Sequence, residues 1–254
     1  MTVAEAFVEF KDVHKAFGDK RVLDGITFDI CRGETMVVLG GSGSGKSVLI
    51  RHIIGLHRPD RGQVVVDGED IVGYGEEELI PVRKKVAMLF QGGALFDSMS
   101  VLDNVAYGLR EHTDMPEDQI RELVGRKLGL VGLEGVESMM PAELSGGMKK
   151  RVALARSIAM DPRCILYDEP TTGLDPVTAT TINELIRNLQ RQLQVTSVVV
   201  THDIASAFSV GDRIAYLFDG RMHFIGTVDE ARGSREPRLR HFLSGGREGS
   251  VATV

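Results

Sequence analysis

Tryptophan is absent from the 254-residue sequence, and cysteine occurs only twice. Basic charge is also in short supply, with 30 Lys and Arg against 36 Asp and Glu, a formal net charge of −6. Cys31 and Cys164 stand far apart with no Cys-x-x-Cys or Cys/His spacing, so neither a zinc site nor a secreted disulfide framework is indicated. Both are expected to be reduced and buried. The acidic balance argues against a dedicated nucleic-acid binder, which needs a basic face. No run of ~18 apolar residues is present to span a bilayer as a helix. Met1 to Phe10 lacks a basic segment followed by an apolar run, and Glu5 and Glu9 interrupt it, so no secretory signal is expected and the cytoplasm is the expected compartment. What is there suits a folded protein: 43% hydrophobic and 26% charged residues, enough for one large α/β domain or for a core with a smaller inserted subdomain.

Along the chain, Phe7 to Val13 and Val22 to Ile30 read as β segments around a turn at Gly18-Asp19. Thr35 to Leu39 is a short apolar strand that runs into a glycine-rich loop and then a helical pattern from Lys46 to about Gly55. Gln63 to Val66 before Asp67-Gly68 reads as one arm of a hairpin, and Val86 to Phe90 as another strand. From Gly92 to about Ala159 the spacing turns helical, with helices expected at 101–110, 116–128 and 148–159. Strand and helix then alternate again: Cys164 to Tyr167, a helix carrying Ile182, Leu185, Ile186, Leu189 and Leu193, and the strand Ser197 to Thr201. Such alternation implies a parallel sheet covered on both faces. Arg213 to Phe218 and Met222 to Ile225 form a closing hairpin through Asp219-Gly220, and from Gly226 the chain reads as loop with an apolar island at Leu239, Phe242 and Leu243. No internal repeat is present.

Gly40-Gly41-Ser42-Gly43-Ser44-Gly45-Lys46-Ser47 fits GxxxxGK[ST] between a buried strand and a helix, the context of a triphosphate-binding loop. Glycines let backbone N–H groups wrap an anion, and the helix N-terminus adds partial positive charge. Lys46 can reach the terminal phosphates and the Ser47 hydroxyl can bind Mg²⁺. A dinucleotide fingerprint fails, because Lys46 stands where its third glycine should be.

Cys164 to Glu169 is a largely apolar strand ending in two carboxylates. In a parallel sheet, ligands bind at the carboxyl ends of strands, so this end is expected beside the phosphate loop. Asp168 is a candidate for Mg²⁺, directly or through water, and Glu169 for polarising the attacking water. Thr201-His202-Asp203 ends the next strand, which points His202 at the γ-phosphate edge. Gln91, after the strand ending Leu89-Phe90, is a candidate for Mg²⁺ or the lytic water.

Leu144-Ser145-Gly146-Gly147-Met148 before a helix, between a phosphate loop and an Asp-Glu strand, resembles the nucleotide-binding subunits of ATP-binding cassette (ABC) transporters. The resemblance covers nearly the whole chain, including Gln91, Thr172-Gly173-Leu174-Asp175 and His202. It implies a P-loop NTPase with a RecA-like parallel-sheet α/β core, an antiparallel β subdomain and an inserted α-helical subdomain. Residues 1–240 would form that domain, with the helical insertion at about 92–159, and 241–254 a C-terminal tail. It further implies an ATPase using ATP and Mg²⁺. The site would comprise residues 40–47, Asp168, Glu169, His202 and Gln91, with Phe17 stacking on adenine; a core position for Phe17 is an equal alternative. Ser145 and the N–H groups of Gly146 and Gly147 make a second anion surface at a helix N-terminus. In the family a head-to-tail dimer places each ATP between one copy's phosphate loop and the signature of the other, Asp175 included.

Phe90 to Ser98, Ser100 to Val105, Met148-Lys149-Lys150-Arg151 and Glu236 to Gly245 look like the phospholipid-trafficking cassettes of the Mla type, which maintain outer-membrane lipid asymmetry. That implies an MlaE-like transmembrane permease, an MCE-domain protein of the MlaD kind and a STAS-domain protein of the MlaB kind as partners. It also implies a peripheral place on the cytoplasmic face of the inner membrane and no nucleic-acid partner. The tail either reaches the neighbouring copy or is a solvated terminus. The rival inside the superfamily is a small-solute importer of the polar amino acid type. A soluble cassette regulator usually carries two cassettes or a long coiled coil, and a scaffold without turnover would be expected to lose Glu169 or His202.

Overall fold

Segments rich in valine and isoleucine form the strands, and Asp-Gly pairs at tight turns set how several of those strands return. The computed structural model describes residues 5–245. The chain divides into two units, one made of Met1–Val82 with Thr196–Val254 and the other of Arg83–Val195.

The first unit opens with β1 (Ala6–Phe17) and β2 (Lys20–Cys31), followed by β3 (Thr35–Leu39), α1 (Lys46–Ile53), β4 (Arg61–Val66), β5 (Glu69–Asp70) and α2 (Glu76–Lys85), within which the unit stops at Val82. An antiparallel sheet runs in the order β2-β1-β4-β5. β2 buries Leu23, Ile26, Phe28 and Ile30 and exposes residues between them, as expected for a sheet with one wet face. Asp67 and Gly68 both have positive φ, 52° and 85°, the backbone a two-residue hairpin turn requires, and Val66 pairs with Glu69 across it.

The second unit contains β6 (Val86–Leu89), α3 (Val101–His112), α4 (Glu117–Leu130), a 3₁₀ turn at Pro141–Glu143, α5 (Gly146–Ser157), β7 (Cys164–Asp168) and α6 (Pro176–Leu193). Strands β6 and β7 pair in parallel, with Leu89 opposite Tyr167. Val101, Val105 and Leu109 on α3 and Ile120, Val124 and Leu128 on α4 bury one stripe each, and both helices pack against α5.

The chain then returns to the first unit with β8 (Thr196–Thr201), α7 (Ile204–Val210), β9 (Arg213–Phe218), β10 (Arg221–Thr227), α8 (Val228–Arg232) and α9 (Pro237–Leu243). There the order is β10-β9-β3-β8, with β3 parallel to both β8 and β9 and β10 antiparallel on the edge. Every residue of β3 and β8 is buried, as parallel strands covered on both faces should be.

Three expectations are corrected. The stretch after Gly226 is not loop: Thr227 and Glu230 form a capping box for α8, and Glu236 caps α9 with Pro237 in its first turn. The apolar island is therefore a helix, with Leu239 buried and Phe242 against Tyr216 at a ring separation of 5.4 Å. Cys31 is half-buried rather than buried, because it ends edge strand β2, whereas Cys164 in β7 is fully enclosed. Glu76 to Lys85, given no element from the sequence, is a helix whose acidic first turn and basic last turn complement its dipole. The tail segment Gly246-Arg247-Glu248-Gly249 lies outside the described residues.

α1 buries a histidine in the core. His52 is 1% exposed, its Nδ1 lies 2.8 Å from the Val48 carbonyl oxygen, and burial pushes its pKa down to about 4 from 6.5. Unfolding therefore takes up a proton between those values, so stability falls as pH drops through that window, by about 3 kcal/mol at its lower end. Unfolding midpoints at pH 7 and pH 4.5 should lie further apart for the native chain than for His52→Gln.

Candidate functional site

The first unit supplies the phosphate loop. β3 is held between β8 and β9, with Leu39 paired to Thr201 and to Tyr216, so its carboxyl end is fixed on both sides. The chain then bends through Gly40–Gly45 into α1. Gly45 has φ +102°, a conformation closed to most residues, and stands at the helix N-cap with no side chain to cap it. A helix N-terminus carries partial positive charge and suits an anion. The Ser44 hydroxyl is buried with no hydrogen-bond partner, a second polar group that a phosphate oxygen would satisfy. Lys46 is 5% exposed and its ammonium donates to the carbonyl oxygens of Gly40 and Gly41, each at 2.9 Å. Gly41, Ser42 and Gly43 form the outer part of the loop, with Ser42 and Gly43 exposed, and Ser47 stands half-buried in the first turn of α1.

His202 follows β8 at the same end as the loop, exposed, while Asp203 beside it caps α7 by accepting from Ala205 N–H and from the Ser206 hydroxyl. Phe17, at the end of β1, is 45% exposed, so the core alternative for it falls. Its ring meets His57 edge-on at 5.4 Å, and Lys15 Nζ lies 5.4 Å from its centroid.

The second unit supplies the carboxylates. Asp168, the last residue of β7, is 1% exposed. Glu169 is 8% exposed at φ +49°, an uncommon backbone for glutamate that turns the chain sharply after the strand. Its Oε2 accepts from the Thr172 hydroxyl at 3.2 Å. Gln91, two residues beyond the end of partner strand β6, is exposed.

The signature residues begin α5. Ser145 is its N-cap, accepting from Met148 N–H at 3.2 Å, and Gly146 and Gly147 form its first turn. Asp175 is the N-cap of α6, accepting from the N–H groups of Val177 and Thr178 at 3.0 Å and from the Thr178 hydroxyl at 2.5 Å. The Thr178 hydroxyl holds the Asp175 carboxyl below its ordinary pKa. Ser145, Gly146, Gly147, Gly173, Asp175 and Thr178 line one open cleft of about 390 Å³.

Sequence reasoning assigned no role to three residues that build this region. Lys150 on α5 is 7% exposed and donates to the Gln91 carbonyl; burial pushes its pKa down, against the pull of Asp168. Arg156 donates to the carbonyls of Gly93 and Ala94, at 2.8 Å each. Asn104 on α3, fully buried, binds Phe96 N–H and the carbonyls of Phe96, Met99 and Ser100. The available signal was Lys149-Lys150-Arg151 beside the buried stretch Val152–Ala155, since three consecutive basic residues cannot all face away from one buried helix face.

Residues 23–172 match the family model described as ABC transporter, and this chain belongs to that family. It is 44% identical to a probable ribonucleotide transport ATP-binding protein, mkl, of Mycobacterium leprae, over 96% of this chain and 70% of that one. It is 43% identical to MlaF of Escherichia coli K12, an intermembrane phospholipid transport system ATP-binding protein, over 96% of this chain and 91% of that one. Among solved structures, a dimeric ATP-binding cassette in a post-hydrolysis state with ADP and Pi superposes with a TM-score of 0.80 at 34% identity, over 87% of this chain and 98% of the other. A cassette from Clostridium perfringens, part of the transporter complex cbiONQ, gives 0.83 at 31% identity, over 94% and 95%.

The two signature glycines differ in what the fold asks of them. A Cβ at Gly147 would lie 2.7 Å from Thr178 Cγ2, whereas one at Gly146 would meet only Leu174 at 3.9 Å. Thermal unfolding should show Gly147→Ala destabilised by about 1–3 kcal/mol through overpacking. Gly146→Ala should unfold at or above the native midpoint, because alanine favours helix.

Proposed function

We propose that this chain is the ATP-hydrolysing subunit of an ABC transporter that moves phospholipid across the cell envelope. Backbone amides of residues 40–45 and the Lys46 ammonium hold the phosphates, Phe17 stacks on adenine, and His202 contacts the γ-phosphate. Glu169 takes the proton of the attacking water as ATP gives ADP and phosphate. The Ser47 hydroxyl, the Asp168 carboxylate and the Gln91 amide are hard oxygen donors of the kind Mg²⁺ prefers. Mg²⁺, when bound, neutralises charge on the phosphates. Ser145, Gly146, Gly147 and Asp175 receive the ATP of a second copy in a head-to-tail dimer.

No helix among the described residues is long and apolar enough to cross a membrane. The transport path in this reading therefore belongs to an MlaE-like permease on whose cytoplasmic side the chain docks, with an MCE-domain MlaD-like protein and a STAS-domain MlaB-like protein completing the complex. The observation that carries the phospholipid reading is the 43% identity with E. coli MlaF, sustained over 96% of this chain and 91% of that one. A ribonucleotide cargo is the second reading, favoured by the 44% identity with the mkl protein, of which this chain spans 70%.

Co-purified with its permease in vesicles, the chain should show Mg²⁺-dependent ATP turnover that rises with added phospholipid and not with ribonucleoside monophosphates. The opposite pattern would overturn the phospholipid reading. Glu169→Gln should bind ATP as tightly as the native chain but hydrolyse it at least ~100-fold more slowly. Light scattering should find that variant as an ATP-dependent dimer.

A further inference from the structure

A lysine enclosed inside a helical unit is costly unless something specific receives its charge. Lys150 is 7% exposed, and its ammonium donates to the backbone carbonyl of Gln91. It sits on α5 four positions after Gly146, so the helix that presents the signature also grips Gln91, the second residue of the loop after β6. Two further grips hold the same loop. Arg156, six residues along α5, donates to Gly93 and Ala94 carbonyls and lies 5.6 Å over the Phe96 ring. Between the two, Ala153 backs Gly93, where a Cβ would lie 3.4 Å from the Ala153 methyl. Gly93 and Ala94 both have positive φ, 77° and 51°, so the loop is a bent shape held from outside. Asn104 fixes its far end from α3.

Lys150 differs from the other anchors in where it attaches. Arg156 and Asn104 hold the body of the loop; Lys150 holds Gln91 itself. We propose that Lys150 is a positioning residue for ATP turnover: by tying the Gln91 carbonyl to the signature helix, it makes Gln91 and Ser145–Gly147 shift together as one body. The inference rests on the ATPase reading above and is independent of what is transported. Its logic is geometric. A side-chain amide does its work only within a narrow range of positions, and misplacement by a fraction of a bond length slows chemistry without weakening ground-state binding.

The test compares Lys150→Met, which keeps the length and apolar stem but removes the donor, with Lys150→Arg, which keeps charge and donor. For Lys150→Met, basal kcat of the purified cassette should fall about tenfold while the ATP dissociation constant stays within about twofold. Hydrogen exchange at the Gly93 amide, which bonds to the Phe90 carbonyl at 2.8 Å, should accelerate. Exchange in α3 should not change, and Lys150→Arg should restore both kcat and protection. Unchanged kcat or unchanged Gly93 exchange in Lys150→Met would overturn the proposal. So would kcat and ATP affinity falling together, or failure of Lys150→Arg to restore either readout. If Lys150→Met does not fold, Lys150→Gln decides by the same two readouts. Basal turnover is read without permease or lipid, so failure of the phospholipid reading leaves this test intact. Were the native chain to hydrolyse no ATP, Gly93 exchange alone would decide.

Discussion

Backbone amides can wrap an anion only where the chain bends too sharply for most side chains, and the bend must be held still before the anion arrives. Much of the first unit serves that constraint. β3 is gripped on both edges by parallel neighbours and buried along its whole length, so Gly40 leaves the sheet from a fixed point. Gly45 turns the chain into α1 with a backbone geometry glycine alone adopts cheaply. Lys46 brings a full charge into this bend, and the Gly40 and Gly41 carbonyls receive it. Those carbonyls keep the ammonium inside the loop, so the loop is preorganised in charge as well as in shape.

The second unit handles buried charge in the same way. Asp168 is buried at a strand end, and Lys150 is buried within reach of its field. Neither is isolated, because each unit of charge taken from water needs a compensating partner. The loop after β6 is shaped by such partners: Lys150, Arg156 and Asn104 all bind its backbone, and Arg156 also lies over the Phe96 ring. Its conformation is thus set from α3 and α5, and its own residues are left to face outward, Gln91 among them.

The phosphate loop, the Asp168-Glu169 strand end and the principal strands were legible in the sequence because each is encoded locally. Glycine spacing, a short apolar run and Asp-Gly turns are readable within a dozen residues, and the Asp67-Gly68 and Asp219-Gly220 turns have the positive φ values that dipeptide favours. What escaped depends on contacts distant in sequence. The environment of Phe17 follows from His57, forty residues later in the chain, so alternation along β1 could not distinguish a core ring from an exposed one. α9 hid in a polar, proline-containing stretch, because its cap at Glu236 and its docking of Phe242 on Tyr216 require knowing where β9 runs. Lys150 was visible only as one of three basic residues; which of the three turns inward is decided by the loop it grips.

The caps on α5 and α6 bear on how a ligand at the signature cleft would be released. Ser145 and Asp175, two of the polar groups lining the signature cleft, both accept hydrogen bonds from the first turns of their own helices. Any ligand drawing on those oxygens exchanges one hydrogen bond for another of similar worth, which changes the free energy little. A contact made by such even exchange is released about as readily as it forms.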